Sequence, residues 1–513
     1  MSPDSGQTHD YIIVGAGSAG CVLANRLSAN PQNNVILLEA GGSDTNPNIH
    51  DPKAMPLLLG TALDWSYYTE KQRNLHERQI LMNRGKVLGG SSSLNAMIYI
   101  RGNRRDFDHW NYLGNEGWSF DQVLPFFKKS ENNENGISRF HGVNGPLSVV
   151  NNHNPTPAAR TFVSAAAEVG FCANRWDFNG EQQENGAGLY QYTITRDGKR
   201  CSSAVAFLHP VLERSNLRLR TCVRVSRILL EKNRAIGVEY LQGHNRIQVH
   251  CQRDVILSAG SIDSPKLLLL SGIGSADRLH HLGIRCHLHL PGVGEGLWDH
   301  LALPVVFSAR KLPRDPATVA EAGLFVHTRA GLQHSSPDLQ YHFQAGIPTG
   351  QTAQPLDASK IVFGAVLCAP TSRGWVRLRS ANPLDSPLIQ PNYLSHDVEM
   401  RSHIEGIKLS RALANTRAFR EFVDQELAPG TAKTDAELQD YVRGNATTIW
   451  HPAGTCRMGY HAAAVVDPQL RLHGAEGLRI ADASVMPGIV AGNINAACIM
   501  IGEKAADLVL SGN

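Results

Sequence analysis

The stretch Asp10-Tyr11-Ile12-Ile13-Val14-Gly15-Ala16-Gly17-Ser18-Ala19-Gly20, running on into Cys21-Val22-Leu23-Ala24-Asn25-Arg26-Leu27, decides how the rest of the chain is read. Tyr11 to Val14 is an apolar run of the length of a buried strand. It ends in G-x-G-x-x-G, after which small and apolar residues recur at helical spacing. Gly15 permits a tight turn out of the strand, Gly17 lets backbone approach a pyrophosphate, and Gly20 lets helix pack closely on strand. The helix start offers free N–H groups and a positive dipole end to phosphates. A second apolar run, Val35 to Leu38, ends at Glu39, about twenty residues after the last glycine, where an acid can bond the ribose hydroxyls of an adenine dinucleotide. A lone glycine motif is weak evidence. Strand, glycines, helix, second strand and acid in this order predict a dinucleotide site, without saying which dinucleotide or what chemistry.

At 513 residues the chain is too long for one core, so two or more domains are expected. Hydrophobic residues make up 42% and charged residues 19%, which are globular values. A net charge of +3, with no Lys/Arg block, gives no case for a nucleic-acid partner. Nine cysteines without a C-x-x-C argue against a disulfide framework or a zinc site and suit a reducing compartment. His280-His281 and His287-x-His289 lack matching Cys, Asp or Glu ligands, so no metal is expected there. The start is polar, not signal-like, and the apolar run Ile262 to Leu270 is broken by Asp263, Pro265 and Lys266, short of a membrane span. A cytoplasmic protein without an integral membrane segment is expected, with peripheral membrane association left open.

Beyond Glu39, Asp64-Trp65-Ser66-Tyr67-Tyr68 is an aromatic cluster that serves either as loop packing or as a lid. Then comes Arg84-Gly85-Lys86-Val87-Leu88-Gly89-Gly90-Ser91-Ser92-Ser93-Leu94-Asn95-Ala96-Met97. Successive small residues between apolar flanks bring backbone close to something flat or charged. Further on, strand-like runs fall at Tyr190 to Thr195, Leu217 to Leu219, Ser226 to Leu230, Ala235 to Tyr240 and Asp254 to Ala259, with a hairpin turn at Glu231-Lys232-Asn233-Arg234. From Leu301 to Ile449 strands alternate with Pro-rich turns, as at Leu339 to Phe343 and Trp375 to Leu378. Helices are expected at His396 to Leu413, Thr416 to Phe422 and Met500 to Leu510.

The glycine–serine stretch resembles the first signature of the glucose–methanol–choline (GMC) family of FAD-dependent oxidoreductases, in its choline and alcohol dehydrogenase-like branch. The second signature is similar to Gly260-Ser261-Ile262-Asp263-Ser264-Pro265-Lys266-Leu267-Leu268-Leu269-Leu270-Ser271-Gly272-Ile273-Gly274. The C-terminal block is similar to His451-Pro452-Ala453-Gly454-Thr455-Cys456-Arg457-Met458-Gly459, with Asp482-Ala483-Ser484-Val485-Met486-Pro487 and Gly492-Asn493-Ile494-Asn495 after it. The resemblance covers essentially the whole chain. It implies an α/β (α+β) fold in which an FAD/NAD(P)-binding Rossmann-like domain is interwoven with a substrate domain built on an antiparallel sheet flanked by helices. The expected division gives residues 1–155, 198–305 and 450–513 to the FAD domain, and 156–197 and 306–449 to the substrate domain.

The resemblance also implies FAD as the cofactor. It carries its contacts onto Gly15, Gly17, Ser18, Ala19, Gly20, Glu39 and Ala40 at the dinucleotide loop and Val225 at the adenine. Val87, Gly89, Gly90, Asn95, Ala96 and Met97 would lie at the ribityl and isoalloxazine, and Asp482 and Ala483 over the diphosphate and ribityl chain. Some members attach FAD through a histidine where this chain has Leu94, so FAD is expected to be non-covalent. Where the family usually reads G-V-G-E-N-L-Q-D-H, this chain has Gly292-Val293-Gly294-Glu295-Gly296-Leu297-Trp298-Asp299-His300, a departure at Gly296 and Trp298.

Alcohol oxidation needs a proton acceptor for the hydroxyl and a partner that holds the oxygen. A neutral imidazole suits the first and a side-chain amide the second. His451 falls where the family carries its catalytic histidine and Asn495 where it carries a second His or Asn; local backbone bonding is the alternative reading for Asn495. Trp450 forms either a wall of the substrate pocket or part of the core. No carboxylate in 306–449 stands out as a cation anchor, so a choline-like substrate is not favoured over an aromatic or aliphatic primary alcohol. The leading expectation is oxidation of a small primary alcohol to an aldehyde, with electrons passed to a quinone or another acceptor. The alternatives are an oxidase that uses O₂ and releases H₂O₂, a hydroxynitrile lyase-like enzyme with a structural FAD, and a non-catalytic dinucleotide-binding protein.

Overall fold

The computed structural model describes residues 8–173, 176–310, 318–347 and 357–512. The opening strand, Thr8–Val14, is the centre of a mixed sheet. It pairs in parallel with Val35–Leu38 on one side and with Asn245–Leu257 on the other. Val35–Leu38 pairs in parallel with Leu217–Arg220, and Leu478–Ile480 pairs in parallel with the end of Asn245–Leu257. All four residues of Val35–Leu38 are buried, as expected for a parallel strand covered on both faces. The first half of Asn245–Leu257 instead pairs antiparallel with Arg234–Gln242, which pairs with Arg224–Glu231 through the turn read from the sequence. One thirteen-residue strand thus joins a parallel sheet to an antiparallel meander.

Two helices bring their N-termini to the C-terminal edge of this sheet. The helix Ser18–Leu27 follows the glycine loop, and the helix Asn495–Leu510 lies against it. Contact is close because Gly502 meets Ala19 backbone, where a Cβ would stand 2.9 Å from the Ala19 carbonyl oxygen. Buried Glu503 clamps Arg26 with two hydrogen bonds, at 2.6 and 2.9 Å. The final helix begins at Asn495, five residues before the expected Met500. Asn-Ala-Ala-Cys carries too little apolar periodicity to mark a helix start.

A second sheet has the order Val423–Ala428, Leu301–Ala309, Asp357–Leu367, Leu339–Ile347, Ala322–Val326, Gly186–Leu189, antiparallel throughout. Helices Pro157–Glu168 and Asp397–Ala414 cover one face. There Leu303, Val305, Leu324, Tyr341, Phe343 and Phe363 pack with Phe162 and Ile407. Strand alternation turns Gln340, His342 and Gln344 to the other face. The helix expected at Thr416–Phe422 is only a 3₁₀ turn, Ala418–Glu421, because the chain enters the strand Val423–Ala428 at once. The strand expected at Tyr190–Thr195 shrinks to Gln191–Tyr192, and the main strand of that region lies earlier, at Gly186–Leu189. Among the described residues no helix is long and apolar enough to cross a membrane, and the nine cysteines are all free.

Candidate active site

A single long cavity runs from the glycine loop to His451, between the mixed sheet and the polar face of the antiparallel one. At the loop, Gly15 has φ +101°, and a Cβ there would stand 2.5 Å from the Ser258 carbonyl oxygen. A Cβ on Gly20 would stand 1.9 Å from the Gly15 carbonyl oxygen. These two glycines are thus fixed by the turn and by helix packing. Gly17 differs: protein comes no nearer than 3.8 Å to a Cβ there, so its bareness opens toward the cavity. Gly90, φ +54°, packs on Gly17, which joins the two glycine-rich stretches. Gly15, Gly17, Ser18, Ala19, Glu39, Ala40, Gly90, Asn95, Ala96, Met97, Val225, Asp482 and Ala483 all line the cavity. Gly20, Val87 and Gly89 stand behind its wall.

Glu39 is 6% exposed, and its two oxygens accept from the N–H groups of Ala16 and Gly41, each at 2.8 Å. Burial pushes its pKa up to about 6, against the pull of those N–H groups. The carboxylate therefore holds the loop as well as facing the cavity. Asp482 accepts from Gly260 N–H at 2.9 Å and Ser264 Oγ at 2.6 Å, at the start of the helix Gly260–Leu270. Three helix starts, at Ser18, Gly260 and Asn495, thus meet at one cavity. Asp482 neutralises one, and two are left to face an anion. A bare glycine, a ribose-facing acid and paired helix N-termini fit the diphosphate and ribose of FAD. Near Val225, Trp65 lines the cavity, stacked on buried Tyr67 at 5.7 Å and under Lys86 and Arg224; of the aromatic cluster it alone reaches the wall, and Tyr67 packs behind it.

The reacting end is built from side chains. His451 is held by the segment 298–300. Trp298 and Ala453 exchange two backbone hydrogen bonds of 3.0 Å, and His451 N–H donates to Asp299 Oδ1 at 2.8 Å. The hydroxyls of Tyr393 and Thr448 donate to the other Asp299 oxygen. His451 Nδ1 lies 3.0 Å from Nδ1 of His300. Burial, then the nearby His300, His342 and Arg84, hold the His451 pKa well below its ordinary value, so the ring is neutral at physiological pH. Trp450 lines the cavity, with φ +65°, a strained value for a bulky residue. Arg84 bonds its carbonyl at 2.7 Å and its indole N–H reaches the Leu81 carbonyl at 3.3 Å.

Asn495 also lines the cavity, at the start of the last helix. Its Oδ1 accepts from Ser18 Oγ at 2.7 Å, which ties it to the dinucleotide loop. Two residues earlier Asn493 lines the cavity and faces the antiparallel sheet, its Oδ1 3.4 Å from Gln340 Nε2. Sequence reading also passed over His300, His342 and Gln344. The alternation of Gln340, His342 and Gln344 with Leu339, Tyr341 and Phe343 was the available signal. The departures at Gly296 and Trp298 are coupled. A Cβ on Gly296 would collide with the Arg457 guanidinium, and Arg457 and Arg373 lie 5.6 and 4.0 Å from the Trp298 ring centroid.

Comparison with known proteins agrees with this architecture. Profiles described as GMC oxidoreductase match residues 9–302 and 370–502. Human mitochondrial choline dehydrogenase is 41% identical, over 99% of this chain and 90% of its own. The alcohol dehydrogenase [acceptor] of Pseudomonas putida is 42% identical, over 98% and 96%. The crystal structure of pyridoxine 4-oxidase from Mesorbium loti superposes with a TM-score of 0.92 at 34% identity, over 97% of this chain and 98% of that one. The protein belongs to the GMC oxidoreductase family, the flavin enzymes whose signatures it carries.

Proposed function

We propose that the protein oxidises a neutral primary alcohol to its aldehyde, using non-covalent FAD, and delivers the electrons to a quinone or another carrier. The observation that carries this reading is a buried, neutral histidine at the end of a cavity that begins at a dinucleotide loop. FAD, when bound, supplies the hydride acceptor at its N5. His451 takes the hydroxyl proton. Of the two amides, Asn493 is the one placed to hydrogen-bond the substrate oxygen, while Asn495 serves the cofactor loop with Ser18. Leu94, which lines the cavity, offers no nitrogen for attachment, and acid precipitation should release the flavin into solution. Two apolar clusters, one around the opening strand and one around the antiparallel sheet, support a two-domain division with boundaries near 155, 197 and 449; the strand Leu301–Ala309 belongs whole to the antiparallel sheet, so the boundary expected at 305 moves to before Leu301.

Neutrality of the substrate rests on the lining. Among the described residues, the reacting end offers Val319, Ala320, Ile449, Trp450, His342 and Gln344. Burial takes the His342 pKa down to about 4, so it carries no charge either. The cavity's carboxylates, Glu39, Asp263 and Asp482, are engaged by Ala16 and Gly41, by Tyr67 and by Ser264. The relative named alcohol dehydrogenase [acceptor] supports this reading and the acceptor assignment. Likeness to a structure named as an oxidase favours O₂ as the second reading.

A panel of alcohols, assayed with a dye acceptor and in parallel with O₂, tests both. The decisive pair is choline and 3,3-dimethylbutan-1-ol, which has the same shape without the charge. Anaerobic bleaching of the flavin by the neutral alcohol is expected to be at least tenfold more efficient. Preference for choline would overturn the neutral assignment, and a flavin that no alcohol bleaches would overturn the oxidoreductase reading. Peroxide formed at the rate of turnover would move the acceptor to O₂.

A further inference from the structure

We infer that His300 is a positioning residue that fixes the tautomer of His451, so that the bare nitrogen of the catalytic ring faces the substrate. The inference rests on the base role proposed for His451.

The geometry is that of two imidazoles sharing one proton. His300 and His451 approach Nδ1 to Nδ1 at 3.0 Å, with ring centroids 5.2 Å apart and planes at 83°. A neutral imidazole has one N–H and one lone pair, so only one of the two Nδ1 atoms carries hydrogen. If His300 donates, the His451 proton sits on Nε2, and the ring offers the cavity a donor where a base is needed. If His451 donates, its Nε2 is bare and can accept the hydroxyl proton.

A base at His451 requires the second arrangement, and the surroundings of His300 permit it. The residue is fully buried, and burial drives its pKa down to about 3, so the ring is neutral with a single hydrogen to place. Its Nε2 makes no hydrogen bond of good geometry among the described residues. A proton on Nε2 leaves the His300 Nδ1 lone pair free to accept from His451. The main chain locks the pair in place: Ile449 N–H donates to the His300 carbonyl at 3.2 Å, and Asp299 Oδ1 accepts from both His300 N–H and His451 N–H.

The consequence for the reaction is balanced. The substrate O–H bond breaks and its proton passes to His451 Nε2, while the hydride leaves the carbinol carbon for the flavin. His451 becomes an imidazolium whose Nδ1–H still donates to His300, so no ring has to turn.

The test uses the FAD-loaded enzyme with ¹⁵N-labelled histidine, the His451 signals being identified by their loss in His451→Gln. The expected spectrum shows His451 protonated on Nδ1 and bare on Nε2. Hydrogen on Nε2 overturns the inference. This readout needs neither substrate nor variant of His300. Rapid anaerobic mixing with alcohol gives the second arm. His300→Ala should slow flavin reduction about 100-fold at every pH between 6 and 9, with substrate Kd changed less than about threefold. His300→Asn, whose amide oxygen can stand where Nδ1 stood, should recover most of that loss, and His300→Gln, which reaches the Nε2 position, should not. Wild-type rates in His300→Ala, or no recovery in His300→Asn, overturn the inference. If no alcohol bleaches the wild-type flavin, the proposed function fails and the ¹⁵N spectrum still decides the tautomer.

Discussion

The two ends of the cavity are made in different ways. The dinucleotide end is made of backbone: a turn at Gly15, a bare Gly17 and converging helix starts, most of it within a short run of sequence. The reacting end is made of side chains drawn from four separate places, His300, His342, Trp450-His451 and Asn493. Backbone-built sites leave their mark in the sequence as glycines at fixed intervals. Side-chain sites do not, because any residue can be brought there by strands far apart. The contrast also divides labour. A change at the first end should alter how tightly FAD is held, and a change at the second how fast it is reduced.

The largest effect that could break this division is at His451. His451→Ala should lower the rate of anaerobic flavin reduction by about 10³-fold or more with FAD content unchanged, as expected when the proton acceptor is lost. Retention of the wild-type rate would remove His451 from the chemistry. The paired amides give the sharpest comparison. Asn493→Ala should cost about 10²-fold in flavin reduction, the scale of one hydrogen bond to a developing oxyanion. Asn495→Ala should spare that rate and instead weaken FAD retention, read by gel filtration and flavin absorbance. The reverse pattern would exchange their roles. Glu39→Gln is expected to raise the FAD Kd about tenfold, equal to about 1.4 kcal/mol, while the reduction rate of the loaded enzyme stays the same. A changed reduction rate there would show that the two ends are not separable.

The smallest effect lies outside both ends. His141 is buried between Glu131, at 3.1 Å, and Asp177, at 2.8 Å, and Glu131 also holds Arg101 at 2.6 Å. Burial opposes its charge, but the hydrogen bonds to Asp177 and Glu131 prevail and raise its pKa to about 9. A raised folded-state pKa stabilises fully below the ordinary value near 6.5 and is lost as pH rises through about 9. Wild-type Tm should therefore fall between pH 7 and 9.5 by a few degrees more than that of His141→Gln. Parallel curves would dismiss the network as a pH-sensitive support.

The sequence made the dinucleotide end legible because its constraints are local. A glycine with φ +101° and an acid at the end of the next strand are visible without knowing what packs on them. Val35–Leu38 was legible to the residue for the same reason. Asn495 shows where this stops. Motif order puts it near the reaction, but the first residue of a helix can project in several directions, and its contact with Ser18, 477 residues away, is not visible in the sequence. His300 was within a quoted motif and still silent, since its meaning comes from a ring 151 residues on. The His141 network had no signature at all, because it joins residues scattered from Arg101 to Asp177.

Gly296 carries a lesson for engineering. Family-consensus design would replace it with asparagine, which tolerates its φ of +79°. In this chain a Cβ there would run into the Arg457 guanidinium beside Trp298, so the consensus residue requires that side chain to swing away and with it one of the two cations over the indole. A consensus change at 296 alone would therefore also disturb the stacking on Trp298, and the two positions are best exchanged as a pair.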